Sequence, residues 1–154
     1  MAGRLLFCLL LLGASSAWAA DYTGPMPPTA DMIYLVHADN LIATEAGEAK
    51  QEKGDTYSIP GTSSSARTPL AEPIFLLKSE KLSAESLELY RLEAKGGRRE
   101  TTVSSKRRGG RALHLQVTRL ERGLYRIEAS EALENGEYAL TPAGSNRVFC
   151  FEVY

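Results

Sequence analysis

Leu120-Glu-Arg-Gly-Leu-Tyr-Arg-Ile127 recurs in altered form thirteen residues later as Leu133-Glu-Asn-Gly-Glu-Tyr-Ala-Leu140. Both stretches follow the pattern Leu-Glu-x-Gly-x-Tyr, with Ile or Leu at the last position. In each copy a glycine marks a turn, and a tyrosine follows two residues later in an extended segment. The pattern therefore predicts two β-strands, each entered through a tight turn.

Short apolar segments bounded by Gly, Asn and Ser extend this pattern over the rest of the chain. The predicted strands cover 32–36, 41–44, 57–59, 73–77, 87–93, 101–103, 113–120, 124–127, 138–141 and 148–154. A short helix is the alternative for 87–93, and 45–53 is either a short helix or a long hairpin. Because no long helical periodicity is present, we predict an all-β protein that forms an antiparallel sandwich or barrel, and of the two we favour the β-sandwich. The last strand is apolar on both faces, which places it inside a sheet.

The second copy of the repeat resembles the tyrosine corner of immunoglobulin-like sandwiches. In that motif a tyrosine near the start of a strand hydrogen-bonds to the backbone a few residues upstream. The resemblance covers only about eight residues and includes Tyr138. It implies an immunoglobulin-like sandwich and carries no implication for activity.

The first twenty residues have the three parts of a secretory signal peptide. Arg4 supplies a positive charge, an apolar run covers 5–12, and Ala17-Trp-Ala19 is a cleavage motif. The sequence thus predicts a signal peptide at 1–20, a Pro-rich extended lead-in at 21–31 and one β-sandwich domain at 32–154. We expect an exported protein, periplasmic or secreted, with no transmembrane segment in the mature chain.

Composition and cysteine usage add two expectations. The formal net charge is only −1, and no aromatic residue interleaves with the basic cluster at 91–111, so no nucleic-acid partner is expected. Of the two cysteines, Cys8 leaves with the signal peptide and Cys150 remains alone in the last strand. We expect Cys150 to be a small buried apolar residue, the alternatives being an intermolecular disulfide or a reactive thiol.

Motifs for catalysis are weak in this sequence. Ser63–Ser65 lack the flanking glycines of a nucleophile elbow. His37, Asp39 and His114 provide too few ligands for a zinc site, which takes three or four from the protein. We therefore predict no catalytic residue, no metal and no cofactor.

A basic cluster is the one candidate binding site in the sequence. It concentrates in the stretches Lys95-Gly-Gly-Arg-Arg99 and Lys106-Arg-Arg-Gly-Gly-Arg111, which we expect to form loop tips. Guanidinium groups suit phosphate and carboxylate because they present a planar pair of donors. The predicted anion- or partner-binding residues are Arg98, Arg99, Lys106, Arg107, Arg108 and Arg111. The alternative is a pair of solvated hairpins that charge keeps soluble.

These features favour an exported, non-catalytic β-sandwich interaction module that binds a protein or an anionic envelope component. One alternative is a small exported hydrolase or metal-dependent enzyme, with His37, Asp39 and His114 as its nucleus. The other is a structural subunit of an envelope assembly, possessing an exposed strand edge and a Cys150–Cys150 link.

Overall fold

Two β-sheets make up the computed structural model, which describes residues 21–103 and 110–154. One short 3-10 turn, Ala84–Ser86, interrupts the strands. The strands in chain order are β1 Ile33–His37, β2 Asn40–Ala43, β3 Glu45–Glu48, β4 Lys50–Gln51, β5 Thr56–Pro60, β6 Arg67–Thr68, β7 Ile74–Lys78, β8 Leu87–Lys95, β9 Arg98–Thr102, β10 Leu115–Glu121, β11 Leu124–Ala129, β12 Gly136–Pro142 and β13 Arg147–Val153.

The first sheet, here the open sheet, has the strand order β10-β11-β7-β1-β2 and is antiparallel throughout. Strands β1, β7 and β11 occupy its centre. Their alternate apolar residues, such as Ile33 and Leu35 on β1 and Phe75 on β7, are fully buried on one face. Strands β2 and β10 form its two edges.

The second sheet, here the barrel sheet, has the order β3-β13-β12-β8-β9-β5-β4, with β6 added in parallel to β13. Its two terminal strands, β3 and β4, are consecutive in the chain and separated only by Ala49. The segment 45–51 therefore pairs with β13 through β3 and with β5 through β4. This double pairing brings the sheet close to a closed barrel.

The wall of the barrel sheet is least regular between β8 and β9. Their hairpin turns through Gly96 and Gly97, which have φ values of +59° and +79°, as a two-residue type I′ turn requires. Only three residue pairs join the two strands, from Glu93 to Lys95 on β8. Farther along β8, the backbone of Leu89 instead accepts a hydrogen bond from Leu113 at 2.8 Å. The first half of β8 and the second half of β9 are therefore not paired with each other.

The main core lies between the two sheets. Phe75 of the open sheet contacts Phe151 of the barrel sheet, with ring centroids 4.7 Å apart, and Tyr138 stacks on the same ring at 5.5 Å. Leu89 and Leu140 add fully buried side chains from β8 and β12. Residues at alternate positions of β8, β12 and β13 thus face the main core, and the residues between them face the interior of the barrel sheet.

The all-β class and the antiparallel pairing are confirmed, and several local predictions are resolved. The segment 45–53 forms strands rather than a helix, and 87–93 is a strand. The last strand, β13, lies between β3 and β12, as its apolar faces predicted. Residues 1–20, where the signal peptide is predicted, lie outside the described residues.

Two side chains fix the connections that lead into these sheets. The carboxylate of Asp31, at the end of the lead-in, accepts backbone N–H bonds from Glu80, Lys81 and Leu82, each with a distance of 2.9 Å to Oδ1. Burial opposes ionisation of this group, but the three bonds outweigh it and lower the pKa of Asp31. The Tyr138 hydroxyl donates to the carbonyl oxygen of Glu134 at 2.8 Å, which is the hydrogen bond that the resemblance implied.

Candidate functional site

A cavity of about 170 Å³ occupies one end of the barrel interior. Its walls come from strands on all sides of the barrel sheet and from the turn between β12 and β13. The cavity is lined by Ala49, Tyr57, Ile59, Glu88, Tyr90, Leu92, Thr101, Val103, Ala139, Thr141, Pro142, Gly144, Ser145, Asn146 and Val148.

The strand register explains why these side chains meet. In an antiparallel pair, residues opposite each other point to the same face. Tyr90 lies opposite Ala139, Glu88 opposite Thr141, and Tyr57 opposite Thr101. The cavity lies beside the region where β8 and β9 are unpaired, because Glu88, Tyr90 and Leu92 come from one of these strands and Thr101 from the other.

Two tyrosines and one carboxylate are among the polar residues that line the cavity. The Tyr90 hydroxyl donates to Oε2 of Glu88 at 2.9 Å, and Tyr90 itself is only 7% exposed. Burial and the neighbouring Glu88 raise the pKa of Tyr90 to about 12, so the hydroxyl remains protonated and keeps donating. Tyr57 is half-buried and packs against the apolar residues of the barrel interior.

The opposite end of the barrel interior is filled by Arg99, which is 0% exposed. Its Nη2 donates to Oε1 of Glu45 at 2.6 Å and to the Pro60 carbonyl at 2.8 Å. Its Nη1 donates to Oγ of Ser64 at 2.6 Å and lies 3.5 Å from Oε2 of Glu137. Burial acts to lower the pKa of Arg99, but the hydrogen bond with Glu45 and the two carboxylate charges outweigh it, so the pKa is raised.

The remaining donors and acceptors of this closed end are also paired. Ser64 donates to Glu137 through its hydroxyl, at 2.5 Å from Oε2, and through its backbone N–H, at 3.0 Å from Oε1. Nε of Arg99 donates to the Gly61 carbonyl at 3.1 Å. Gly61 has φ +82°, a conformation that a side chain would strain, so the turn that presents its carbonyl favours glycine. We call Arg99, Glu45, Glu137 and Ser64 the ion cluster.

An apolar layer that includes Cys150 belongs to the same barrel interior. Cys150 is fully buried and free, and it packs with Ile59, Leu92, Ala139 and Val148. Burial raises the pKa of its thiol to about 12, which keeps it protonated. The expectation of a buried, apolar Cys150 is confirmed.

The predicted basic site is divided by the structure. Arg98 is exposed at the β8–β9 hairpin, where its Nε lies 3.2 Å from Oε2 of Glu100 and its Nη1 lies 4.0 Å from Oε1 of Glu52. Arg111 is exposed and lines a second pocket, which is also lined by Glu93 and Glu100. Lys106, Arg107 and Arg108 lie outside the described residues.

The placement predicted for Arg99 requires correction. It lies within β9 instead of at a loop tip, and its guanidinium points into the barrel and not into solvent. The reason is that side chains alternate between the two faces of a strand. Arg99 therefore shares the inner face with Thr101 and Val103, and Arg98 lies on the outer face. The two adjacent arginines therefore have different environments.

The residues considered for a metal or hydrolytic site are exposed and separated. His37 ends β1, Asp39 lies in the following turn, and His114 precedes β10. Two strands lie between β1 and β10, so the two histidines are about 14 Å apart across the sheet. Among residues 21–103 and 110–154, no group of three or more His, Cys, Asp or Glu side chains is placed to hold a metal ion.

Within the part of the chain that the structure describes, no helix has both the length and the apolar character needed to cross a membrane.

The sequence analysis missed the cavity residues Glu88, Tyr90 and Tyr57. A signal was present, because Glu88, Tyr90 and Leu92 alternate on one face of β8 while Leu87 and Leu89 occupy the other. Polar and apolar residues do not separate cleanly between the faces of β8, because both faces are buried, one in the main core and one in the barrel interior.

No protein-family model, no curated protein and no solved structure matches this chain.

Proposed function

We propose that this chain is an exported, non-catalytic binding module, and that its binding element is the cavity of the barrel sheet. The observation that supports this proposal is the form of the cavity itself. Its walls are largely apolar, and a few polar groups converge at Glu88 and Tyr90. Small-molecule sites in proteins have this composition, with apolar walls for affinity and a few placed polar groups for orientation.

The volume of the cavity limits the ligand. A cavity of about 150 Å³ in another protein holds one benzene molecule, and the present one measures about 170 Å³. It therefore suits a single ring or a short branched alkyl group. The ligand is a small molecule whose apolar part enters the barrel and whose polar part remains near Glu88.

The structure favours binding of a small apolar ligand in the cavity over binding of an anionic envelope component at the basic residues. Arg98 already has the carboxylates of Glu100 and Glu52 beside it, and Arg99 is committed to the ion cluster. We therefore keep binding of a protein or anionic envelope component through Arg98 and Arg111 as the second way in which this module could bind a partner.

We also propose the finer classification of the fold as a β-sandwich with an immunoglobulin-like feature. Its support is the packing of Phe75 against Phe151 between the two sheets and the hydrogen bond from Tyr138 to Glu134. The fold differs from a simple β-sandwich in that one of its two sheets, the barrel sheet, is nearly closed on itself.

The export part of the proposal rests on the N-terminal pattern. Expression of the full chain followed by N-terminal sequencing of the exported protein tests it. We expect the mature chain to begin at Ala20 or Asp21, and an uncleaved protein retained in the cytoplasm would contradict export.

Binding is tested by titrating the purified protein with benzene and small alkylbenzenes while following its thermal unfolding. We expect the unfolding temperature to rise with ligand concentration, because a ligand that binds only the folded state stabilises it. Ala49→Leu places a larger side chain in the cavity wall and should abolish this rise. Ala46→Leu, on the exposed side of the same chain segment, is the matched control.

Two results would overturn the cavity proposal. One is that no ligand of this size raises the unfolding temperature of the wild-type protein. The other is that Ala49→Leu and Ala46→Leu respond to the ligands as the wild type does. If Ala49→Leu folds poorly because of overpacking, Val148→Phe provides a second way to fill the same cavity.

The structural-subunit alternative retains one specific observation, the two edge strands of the open sheet. In the described part of the chain, β2 and β10 each pair on one side only. Such edges can pair with another chain. A solution mass larger than that of one chain, lost when a proline replaces Ile42 of β2 or Val117 of β10, would favour this alternative.

A further inference from the structure

We propose that the cavity selects small organic cations, namely compounds with an ammonium group attached to one ring or a short apolar chain. This inference rests on the proposed function, because it names the ligand class of the same cavity. It goes beyond that function because apolar walls alone would not distinguish a cation from a neutral molecule.

The charge of the lining is the first argument. Among the described residues that line the cavity, Glu88 is the only one with a charged side chain. The described lining contains no Lys, Arg or His. An anionic ligand would therefore meet a like charge at short range, and a cation would meet an opposite charge. Low local polarity strengthens both effects because water screens them less.

The free bonding capacity of Glu88 is the second argument. An ionised carboxylate has about four acceptor positions, and the Tyr90 hydroxyl occupies one of them at Oε2. Within the described residues, no Lys or Arg lies in salt-bridge distance of Glu88, whereas Glu45 and Glu137 are both paired with Arg99. Glu88 therefore has acceptor positions left for a ligand ammonium group, unlike Glu45 and Glu137, whose carboxylates are paired with Arg99.

The two tyrosines are the third argument. Aromatic rings attract cations through the negative potential of their faces. Tyr57 and Tyr90 both line the cavity and lie near each other. Because the Tyr90 hydroxyl donates to Glu88, the same residue holds the carboxylate in place and offers its ring to the ligand.

The ligand position follows from these contacts. The ammonium group lies at Glu88, where its N–H groups donate to the free carboxylate positions. The apolar body extends toward Ile59, Leu92 and Ala139, whose side chains form the apolar layer. Benzylamine, protonated at neutral pH, has one ring and one ammonium group and is a suitable probe of this arrangement.

Calorimetric titration of the purified protein with benzylamine, benzyl alcohol and benzoate tests the proposal. The three probes share one ring and differ in charge. We expect benzylamine to bind about tenfold more tightly than benzyl alcohol, a difference of about 1.4 kcal/mol, and benzoate to bind most weakly. Glu88→Gln should remove the advantage of benzylamine while leaving benzyl alcohol binding unchanged. Glu93→Gln, on the same strand but outside the cavity, is the control.

The outcomes separate this inference from the proposed function. Equal binding of benzylamine and benzyl alcohol, unaffected by Glu88→Gln, would overturn the cation inference and leave the binding cavity in place. Failure of all three probes to bind would overturn both. A benzylamine preference that persists in Glu88→Gln and disappears in Glu93→Gln would also overturn the inference, because it would assign recognition to a site outside the cavity.

Discussion

The two ends of the barrel interior differ in how their carboxylates are paired. At the closed end, Glu45 and Glu137 are paired with Arg99, and the guanidinium leaves little empty space. At the open end, Glu88 receives one hydrogen bond from the residues that the structure describes, that of the Tyr90 hydroxyl, and it lines a cavity. From this contrast we propose that the closed end holds the barrel together and that the open end receives a ligand.

This difference matters because buried charge is unfavourable unless it is paired. The closed end meets the requirement within the protein. At the open end Glu88 is only half-buried, so water satisfies its remaining acceptors when no ligand is present. Substitutions at the closed end should therefore change stability, and substitutions at the open end should change binding.

The largest effect is expected for Arg99→Met. Removing the guanidinium leaves Glu137 buried and unpaired, and loss of one partner of a buried ion pair destabilises by about 3–5 kcal/mol. Because Glu45 is partly exposed and can be hydrated, we expect the lower part of that range. Urea unfolding measures it, with Arg98→Met as the adjacent exposed control. Equal stability of the two variants would contradict the role of the ion cluster.

A smaller effect is expected for Glu137→Gln. The amide oxygen can still accept the hydrogen bonds from Ser64, but the charge that faces Arg99 is lost. We expect the free energy of unfolding to fall by about 1–3 kcal/mol. Glu134→Gln, which removes an exposed pairing with Arg91, should lower it by less than about 1 kcal/mol. If Glu134→Gln lowered the free energy of unfolding more than Glu137→Gln, burial would not explain why the closed end stabilises the protein.

At the open end, Tyr90→Phe should lower stability by about 1 kcal/mol at neutral pH, because it removes the hydrogen bond to Glu88 and keeps the ring. The pKa of Tyr90 is raised from 10.0 to about 12, so the folded state retains a proton that the unfolded state loses above pH 10. The wild type should therefore lose stability relative to Tyr90→Phe as the pH rises from 10 to 12. Unfolding curves at several alkaline pH values measure this, and a constant difference would contradict the buried, hydrogen-bonded hydroxyl.

The smallest effect on stability is expected for Glu88→Gln. The amide oxygen still accepts from Tyr90, so the free energy of unfolding should change by no more than about 0.5 kcal/mol. A loss of several kcal/mol in urea unfolding would show that Glu88 has a structural role like that of Glu137, and the contrast between the two ends would fail.

Much of the fold could be predicted from alternation and turn residues. The strands β1, β7 and β13 follow from short apolar runs, and β11 follows from the repeat. The resemblance of the second repeat copy to a tyrosine corner implied the Tyr138 bond. The near closure of the barrel sheet could not be predicted. It depends on the chain segment 45–51 pairing both with β5, which follows it in the chain, and with β13, which is far away in sequence, and the residues of this segment are mostly polar.

The candidate site was harder to predict than the fold. Arg98 and Arg99 are adjacent residues of the same type. Which of them is buried depends only on which one shares a strand face with Thr101 and Val103. Glu88 and Tyr90 lie on a strand whose two faces are both covered, so the alternation of polar and apolar residues was masked. A sequence shows which residues share a face, but not what fills the space in front of that face.

The most direct test of the account is methyl NMR of the purified protein during titration with benzene. Ligand binding in the cavity should shift the methyl signals of Ala49, Ile59, Val103 and Val148, which line it. The methyl signals of Leu35, Leu77 and Leu140, which are buried in the main core between the sheets, should stay in place. Shifts confined to the main core, or no shifts at ligand saturation, would contradict the assignment of the open end as the binding site.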